Sequence, residues 1–170
     1  MKATGGAPHE HDDFHYRRVL GHYPTGVVVI TAQSEDGPIG MAVNSFTSVS
    51  LEPPIISFCP ALTSKTWPRL RQAGRLAVSL LSDRQADVSI AFSQRAEHRF
   101  LDLMLIAGEN GAPLLSEALG WIECTVLTEH SAGDHTIVLA SVDRLDVNTS
   151  ARAPLVFFKG TYHAGPALDI

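Results

Sequence analysis

The chain has 170 residues, 45% of them hydrophobic and 18% charged, which fits one globular domain with a sizeable core. Its net charge of −5, with no basic stripe, argues against nucleic acid as a partner. No apolar run approaches the roughly 20 residues that cross a bilayer, and no secretory signal pattern is present. We therefore expect a cytoplasmic protein with no membrane partner, in which Cys59 and Cys124 are buried free thiols.

The first residues are small and polar and include glycine and proline, so residues 1–12 are predicted to form a flexible tail ahead of a domain over 13–170. The tail region carries His9, His11 and His15 among acidic residues. A metal site is one interpretation of these histidines. A solvated tail is the favoured one, because a flexible segment offers no preorganised ligand geometry.

After the predicted tail, the sequence pattern indicates short helices among many strands. Helices are expected over 14–22, capped by Asp12 or Asp13, over 67–74, and from a capping box at 82–85 to Phe92. Strands are expected over 27–31, 39–51, 55–59, 76–81, 121–128, 136–147 and 155–162, with 93–118 irregular. This density of strands, without regular βαβ alternation, predicts an antiparallel barrel with helical additions.

The late strands show partial alternation of apolar residues. Ile122, Cys124 and Val126 share one face of the first of them. In the strand after it, Ile137, Leu139 and Leu145 are expected to share a face.

Several catalytic signatures are absent from the sequence. There is no GxGxxG or GxxxxGK[ST] segment, which disfavours a Rossmann domain and a P-loop. GxSxG and HExxH are also absent, which weakens the case for a hydrolase or a zinc protease.

The predicted strand over 39–51 is unusually rich in small and hydroxyl side chains. Such a strand is a poor core former, but it can lie against a flat heteroaromatic ligand. Asn44 offers one acceptor and two donors, which suits the mixed edge of a flavin pyrimidine ring. The alternative is an edge strand with ordinary surface serines and threonines.

Two loops carry further polar groups. Ser64, Lys65 and Thr66 precede a predicted helix, so they could bind a phosphate, or simply cap the helix beside a solvated lysine. His135 follows Gly133 and Asp134 between two late strands, where it could face a pocket, or stand incidentally in a hairpin turn.

Together these segments make the chain similar to a known protein family. From about Phe14 to His163 the chain resembles the flavin reductase-like family, the small reductase components of two-component flavin-dependent monooxygenases. The resemblance is carried, in order, by Tyr23–Thr31, by Gly40–Leu51 with Pro53-Pro54 after it, by Ser64-Lys65-Thr66 and by Gly133-Asp134-His135. In the closing segment Phe157–Tyr162, Lys159 stands where arginine is more usual, which puts in doubt any role there that needs a planar, bidentate contact.

The resemblance implies a mainly β fold with short helices, a split β-barrel of antiparallel Greek-key type, assembled as a homodimer. It implies a flavin, FMN or FAD, along Asn44, Ser45, Phe46, Thr47 and Ser48. It implies a flavin phosphate held by Ser64, Lys65 and Thr66, and it adds Thr31 to the cofactor-binding candidates. It also implies that Gly133, Asp134 and the catalytic candidate His135 lie near the nicotinamide cofactor, NADH or NADPH.

The function implied by the resemblance is reduction of flavin by NAD(P)H, with delivery of the reduced flavin to a partner monooxygenase. One alternative is a flavoprotein that retains its flavin and reduces another acceptor, such as a corrinoid or a metal chelate. Another is a flavin- or haem-binding split-barrel module without enzymatic activity. A dimeric structural protein without ligand is disfavoured by the hydroxyl-rich strand and the Ser-Lys-Thr loop. The residues do not distinguish FMN from FAD or NADH from NADPH.

Overall fold

The computed structural model describes residues 12–94, 99–149 and 153–166, so most of the predicted tail, with His9 and His11, lies outside the described residues. The helices in these ranges are α1 (Asp13–Leu20), α2 (Trp67–Ala73) and α3 (Ala86–Ser93). The strands are β1 (Thr25–Gly26), β2 (Val28–Ser34), β3 (Gly37–Val43), β4 (Thr47–Leu51), β5 (Pro54–Phe58), β6 (Arg75–Leu80), β7 (Leu105–Ala107), β8 (Pro113–Leu115), β9 (Gly120–Ala132), β10 (His135–Val147), β11 (Leu155–Phe158) and β12 (Thr161–Ala164).

The main sheet is antiparallel and has the strand order β3-β2-β6-β9-β10-β5-β4. Its two edge strands, β3 and β4, are consecutive in the chain and are joined only by residues 44–46. Seven strands at about 4.8 Å spacing would place the edges of a flat sheet about 29 Å apart, whereas this connector spans at most about 14 Å. The sheet must therefore be rolled. Because β3 and β4 are not hydrogen-bonded, the roll stays split at the connector, as predicted for a split barrel.

Side chains from strand β2 enter two separate hydrophobic cores. Val28 and Ile30 pack in one core with Phe58 and with Trp67 of α2. Val29, with Val27 just before the strand, belongs to the other core, together with residues of α3 and β11. Burial on both faces explains why this strand reads as a continuous apolar run rather than as an alternating pattern.

Two predicted strands are wrong as single elements. The strand predicted over 39–51 is divided into β3 and β4, which pair with different neighbours, and the segment 155–162 is divided between β11 and β12. The turn between the latter strands places Lys159 at φ 51° and Gly160 at φ 79°, the left-handed combination of a type I′ hairpin turn.

The inward faces of the late strands match the sequence pattern only in part. Cys124 of β9 is buried in the core, as its alternation indicates. In β10 the buried residues are Val138 and Ala140, so the predicted apolar face bearing Ile137 and Leu139 points away from the core.

Cys59 is half-buried rather than buried. Burial raises the pKa of the Cys124 thiol to about 12.

The predicted helices are confirmed, with one shifted start. The Asp12 carboxylate accepts the Phe14 amide and caps α1, and α2 starts with proline in its first turn. Gln85 accepts the Ser82 amide at 3.0 Å, as in a capping box, but α3 begins only at Ala86 because the four preceding residues form a turn. None of the described helices has the length and apolar character needed to span a bilayer.

Candidate functional site

A cleft of about 970 Å³ opens beside the split in the rolled sheet. One side is formed by Asn44 and Ser45 of the connector and by Asp134 and His135 at the β9–β10 turn. The rest of its lining comes mainly from α1 and from the hairpin of β11 and β12. Four residues predicted from distant segments of the sequence therefore meet in one cleft.

Hydrogen bonds hold the segments of this site together. Ser45 Oγ accepts the Cys59 amide at 2.9 Å, which ties the connector to the end of β5. Just beyond Cys59 the chain reaches the β9–β10 turn, where the Leu62 amide donates to Asp134 O at 2.9 Å and the Thr136 amide donates to Pro60 O at 3.0 Å. The connector, the segment after β5 and the turn are therefore positioned as one unit.

The β9–β10 turn orients His135 toward the cleft. Gly133 lies at φ 63°, where glycine is favoured, and the tight turn brings Asp134 and His135 to the start of β10. Asp134 Oδ1 lies 2.8 Å from His135 Nδ1. The hydrogen bond and charge of His135, with a smaller contribution from the charge of Arg17, lower the pKa of Asp134. The carboxylate thus holds one ring nitrogen and leaves Nε2 for a ligand.

The predicted phosphate loop adjoins this unit but does not border the cleft itself. Ser64 Oγ accepts the Trp67 amide at 3.1 Å, so Ser64, and not Thr66, caps α2. Thr66 Oγ1 accepts a hydrogen bond from Arg99 Nη1 at 3.4 Å, and the same nitrogen donates to Gly40 O at 2.8 Å. Lys65 is exposed. The cations and hydroxyls, rather than the seven-residue α2, make this loop suitable for an anion.

The other predicted site residues take different positions. Phe46 is half-buried and packs on the core, whereas Thr47 and Ser48 are exposed on the edge strand β4. Thr31 is fully buried, and its hydroxyl donates to Pro113 O. It thus holds β8 against the core, and its position gives no support to a role in cofactor binding.

Sequence reasoning missed the part of the cleft lining that α1 and the β11–β12 hairpin supply, and one half-buried cation. Tyr16 and Arg17 of α1 and Phe157 and Lys159 of the hairpin line the cleft. The local sequence pattern predicts that these residues lie in a helix and in a strand. It does not predict that both elements line the same cleft as the connector. Arg99 falls in a segment for which the sequence predicts irregular structure. Burial lowers the pKa of its guanidinium.

The groups present fit a flat, anionic, heteroaromatic ligand. Thr25 Oγ1, on the cleft, and Arg99 Nε, beside the Ser-Lys-Thr loop, are buried and have no hydrogen-bond partner among the described residues. Buried polar atoms without partners are costly, by about 1–3 kcal/mol, and are retained mainly where function requires them. The Asn44 amide adds donors and an acceptor at the split.

A rolled antiparallel sheet, split beside such a site, is the architecture of the split-barrel flavin reductases. The chain belongs to the flavin reductase-like family: the family model described as a flavin reductase like domain matches residues 20–166. The chain is 43% identical to a flavin reductase of Pseudomonas putida over 148 residues, 86% of each chain. It is 38% identical over 148 residues to the flavin-dependent monooxygenase reductase subunit HsaB of Mycobacterium tuberculosis, covering 86% of this chain and 79% of that one.

A solved structure is similar over nearly the whole chain. It is the NADH:FAD oxidoreductase SgcE6 of Streptomyces globisporus in complex with NAD and FAD fragments. The TM-score is 0.85 at 34% identity, with 91% of this chain and 93% of that one covered. The fold predicted from the sequence is thereby confirmed.

Proposed function

We propose that the protein catalyses the reduction of FMN or FAD by NADH or NADPH and supplies the reduced flavin to a partner monooxygenase. The observation that carries the proposal is the convergence of Asn44, Ser45, Asp134 and His135 on one cleft at the split. Family membership and the reductase relatives support it. The open cleft also suits a ligand that must enter and leave in each turnover.

The two nucleotides supply the redox chemistry when both are bound: a hydride passes from nicotinamide C4 to flavin N5, and one proton is taken up, which yields NAD(P)⁺ and reduced flavin. The protein has to hold the two rings stacked, with the reacting atoms about 3–3.5 Å apart. This task needs no nucleophile, which agrees with the absence of the hydrolase signatures from the sequence.

The side chains of the cleft divide this task between them. We assign Asn44 and Ser45 to the polar edge of the flavin; the Ser45 hydroxyl is itself fixed by the Cys59 amide. We assign His135, which contacts Asp134 through Nδ1, to positioning the nicotinamide through Nε2. We expect His135→Ala to raise KM for NAD(P)H with little change in flavin affinity.

The flavin phosphate is assigned to Ser64, Lys65 and Thr66, with Arg99 beside them. Because Ser64 also caps α2, an alanine variant would mix loss of the cap with loss of the ligand contact. Ser64→Asn keeps an acceptor for the Trp67 amide, and Ser64→Asp keeps the acceptor and adds a negative charge.

Comparing the binding of FMN and of riboflavin to these two variants separates the capping role of Ser64 from its contact with the flavin phosphate. We expect Ser64→Asp to weaken FMN binding by about tenfold or more through charge repulsion, and to leave riboflavin, which lacks the phosphate, within about twofold. Ser64→Asn should affect FMN much less. Equal losses for FMN and riboflavin would place the phosphate elsewhere.

The activity itself is tested by following absorbance at 340 nm with purified protein, NADH or NADPH, and FMN, FAD or riboflavin. Rapid oxidation that depends on added flavin is the expected result, and the ranking of the substrates identifies both nucleotides. A protein that binds flavin but oxidises neither nicotinamide with any flavin would instead be a binding module. Flavin that stays bound through gel filtration would point to a retained cofactor and a different electron acceptor.

A further inference from the structure

One face of helix α1 borders the cleft without packing against protein. Asp13, Tyr16, Arg17 and Leu20 follow the i, i+3, i+4, i+7 spacing of a single helix face, and all four line the cleft. No residue of α1 is buried, and Tyr16 and Leu20 remain 56% and 52% exposed. This face is therefore turned toward the site but is uncovered.

The face combines the groups that recognise a nucleotide. The Tyr16 ring and the Leu20 side chain offer a flat apolar surface on which a base can stack. The Arg17 guanidinium has no hydrogen-bond or ion-pair partner among the described residues, and its fork of donors matches a phosphate. Arg17 is also close enough to Asp134 to contribute to the lowered pKa of that carboxyl group. The cation thus lies within electrostatic reach of the proposed nicotinamide position.

The size of the cleft agrees with a dinucleotide. Its volume of about 970 Å³ lies at the upper end of the roughly 300–1,000 Å³ typical of small-molecule pockets. Asn44, Ser45 and His135 account for one side, where the two redox-active rings would stack. The α1 face lines the same cleft and is available to the remainder of a dinucleotide.

We propose that the α1 face is a subsite for the adenosine monophosphate moiety of a dinucleotide, with the adenine against Tyr16 and the phosphate of that moiety on Arg17. The inference rests on the proposed function, because that function supplies the dinucleotide. NAD(P)H and FAD both carry this moiety, so the experiment has to distinguish the two sources.

The test compares NADH with reduced nicotinamide mononucleotide, which has the same reactive ring but lacks the adenosine half, and uses FMN as acceptor. In Tyr16→Ala and Arg17→Gln we expect kcat/KM for NADH to fall about tenfold, the effect of one lost base stack or one lost charge-assisted contact, with the mononucleotide unchanged within about twofold. Phe14→Ala and Arg18→Gln are matched controls, because they change the same helix outside the cleft face. Both controls should retain wild-type kinetics with both donors.

A second experiment uses reduced nicotinamide mononucleotide as the hydride donor and compares FAD with FMN as the acceptor. A loss confined to FAD would assign the subsite to the flavin, and a loss confined to NADH would assign it to the nicotinamide cofactor. Equal losses with NADH and the mononucleotide, or no loss with any dinucleotide, would overturn the proposal.

Direct titration with ADP separates this proposal from the proposed function. Wild-type protein and Arg18→Gln should bind ADP, and Arg17→Gln should bind it about tenfold more weakly. Wild-type protein that binds ADP but oxidises neither NADH nor NADPH with any flavin would refute the reductase activity and leave the subsite standing. Absence of ADP binding to the wild type would overturn the subsite.

Discussion

Asp134 Oδ1 and His135 Nδ1 are in hydrogen-bond contact at the cleft, and Asp134 is exposed. The pKa of Asp134 is lowered first by its hydrogen bond with His135 and then by the charge of His135. Since the ordinary value is about 3.9, the carboxylate is ionised above about pH 5, and its contact with the ring is lost only as pH falls through the lowered pKa. The carboxylate that contacts His135 is therefore ionised throughout the neutral range.

Replacing Asp134 by asparagine removes the charge and keeps the size of the side chain. We expect kcat/KM for NADH to fall roughly two- to fivefold, a modest effect because exposed pairs are screened. The ratio of variant to wild-type activity should stay constant above about pH 5 and approach one in more acidic buffer, where the wild type also loses the carboxylate. In a His135→Ala background the second substitution should have no further effect; an undiminished effect there would show that Asp134 acts independently of the ring.

Individual site residues are predictable where a local motif carries them. Asn44, Ser45, Asp134 and His135 are predicted from short segments, and the structure places all four on the cleft. Tyr16 is not predicted, because its place on the cleft depends on where α1 packs. Thr31 ends a recognisable segment, but β2 is buried on both faces there, so the Thr31 side chain lies inside the protein.

At the scale of elements, the connector between β3 and β4 is the main feature that sequence periodicity could not show. Residues 39–51 have uniform β character, but their hydrogen bonds go to β2 before the connector and to β5 after it. The hairpin of β11 and β12 is obscured in the sequence for a related reason. Its turn uses Lys159 at positive φ, where asparagine or glycine is the usual signal.

Close packing between α3 and β3 positions the strand that leads into the connector. A Cβ atom at Gly40 would lie 2.6 Å from Phe92 Cε1 and 3.0 Å from Ile30 O. We expect Gly40→Ala to lower the free energy of unfolding by about 1–3 kcal/mol, the usual cost of overpacking, or roughly 2–4 °C in Tm per kcal/mol. Thermal and urea denaturation would measure the change.

Gly26→Ala is the matched control for this substitution. Gly26 also lies in a strand, a Cβ atom added there would meet no other atom within 4 Å, and its backbone does not require positive φ. We expect its stability to be unchanged or slightly raised, because alanine loses less backbone entropy than glycine on folding. Similar losses in both variants would show that contact with Phe92 is not the cause.

At the scale of the whole molecule, the rolled sheet leaves apolar side chains on its outer surface. Ile137 of β10 is 38% exposed, and Leu51 of the edge strand β4 is 88% exposed. The side chains of β10 do alternate between two faces, as the sequence indicates. Val138 and Ala140 face the core, whereas the predicted apolar face that bears Ile137 faces outward. Sequence patterning cannot distinguish a core from a subunit interface, because both require apolar side chains at period two.

We propose that this outer surface forms the homodimer interface implied by the family resemblance. Sedimentation of the wild type should give twice the chain mass of 18.3 kDa. A twofold interface presents each substituted residue twice, so Ile137→Glu should place two uncompensated charges in it and shift the protein toward monomer. Ile90 is 40% exposed on α3, a helix that packs against β2 and β3, so Ile90→Glu should remain dimeric. A wild-type monomer would contradict the dimer, and equal behaviour of the two variants would place the interface on another face of the molecule.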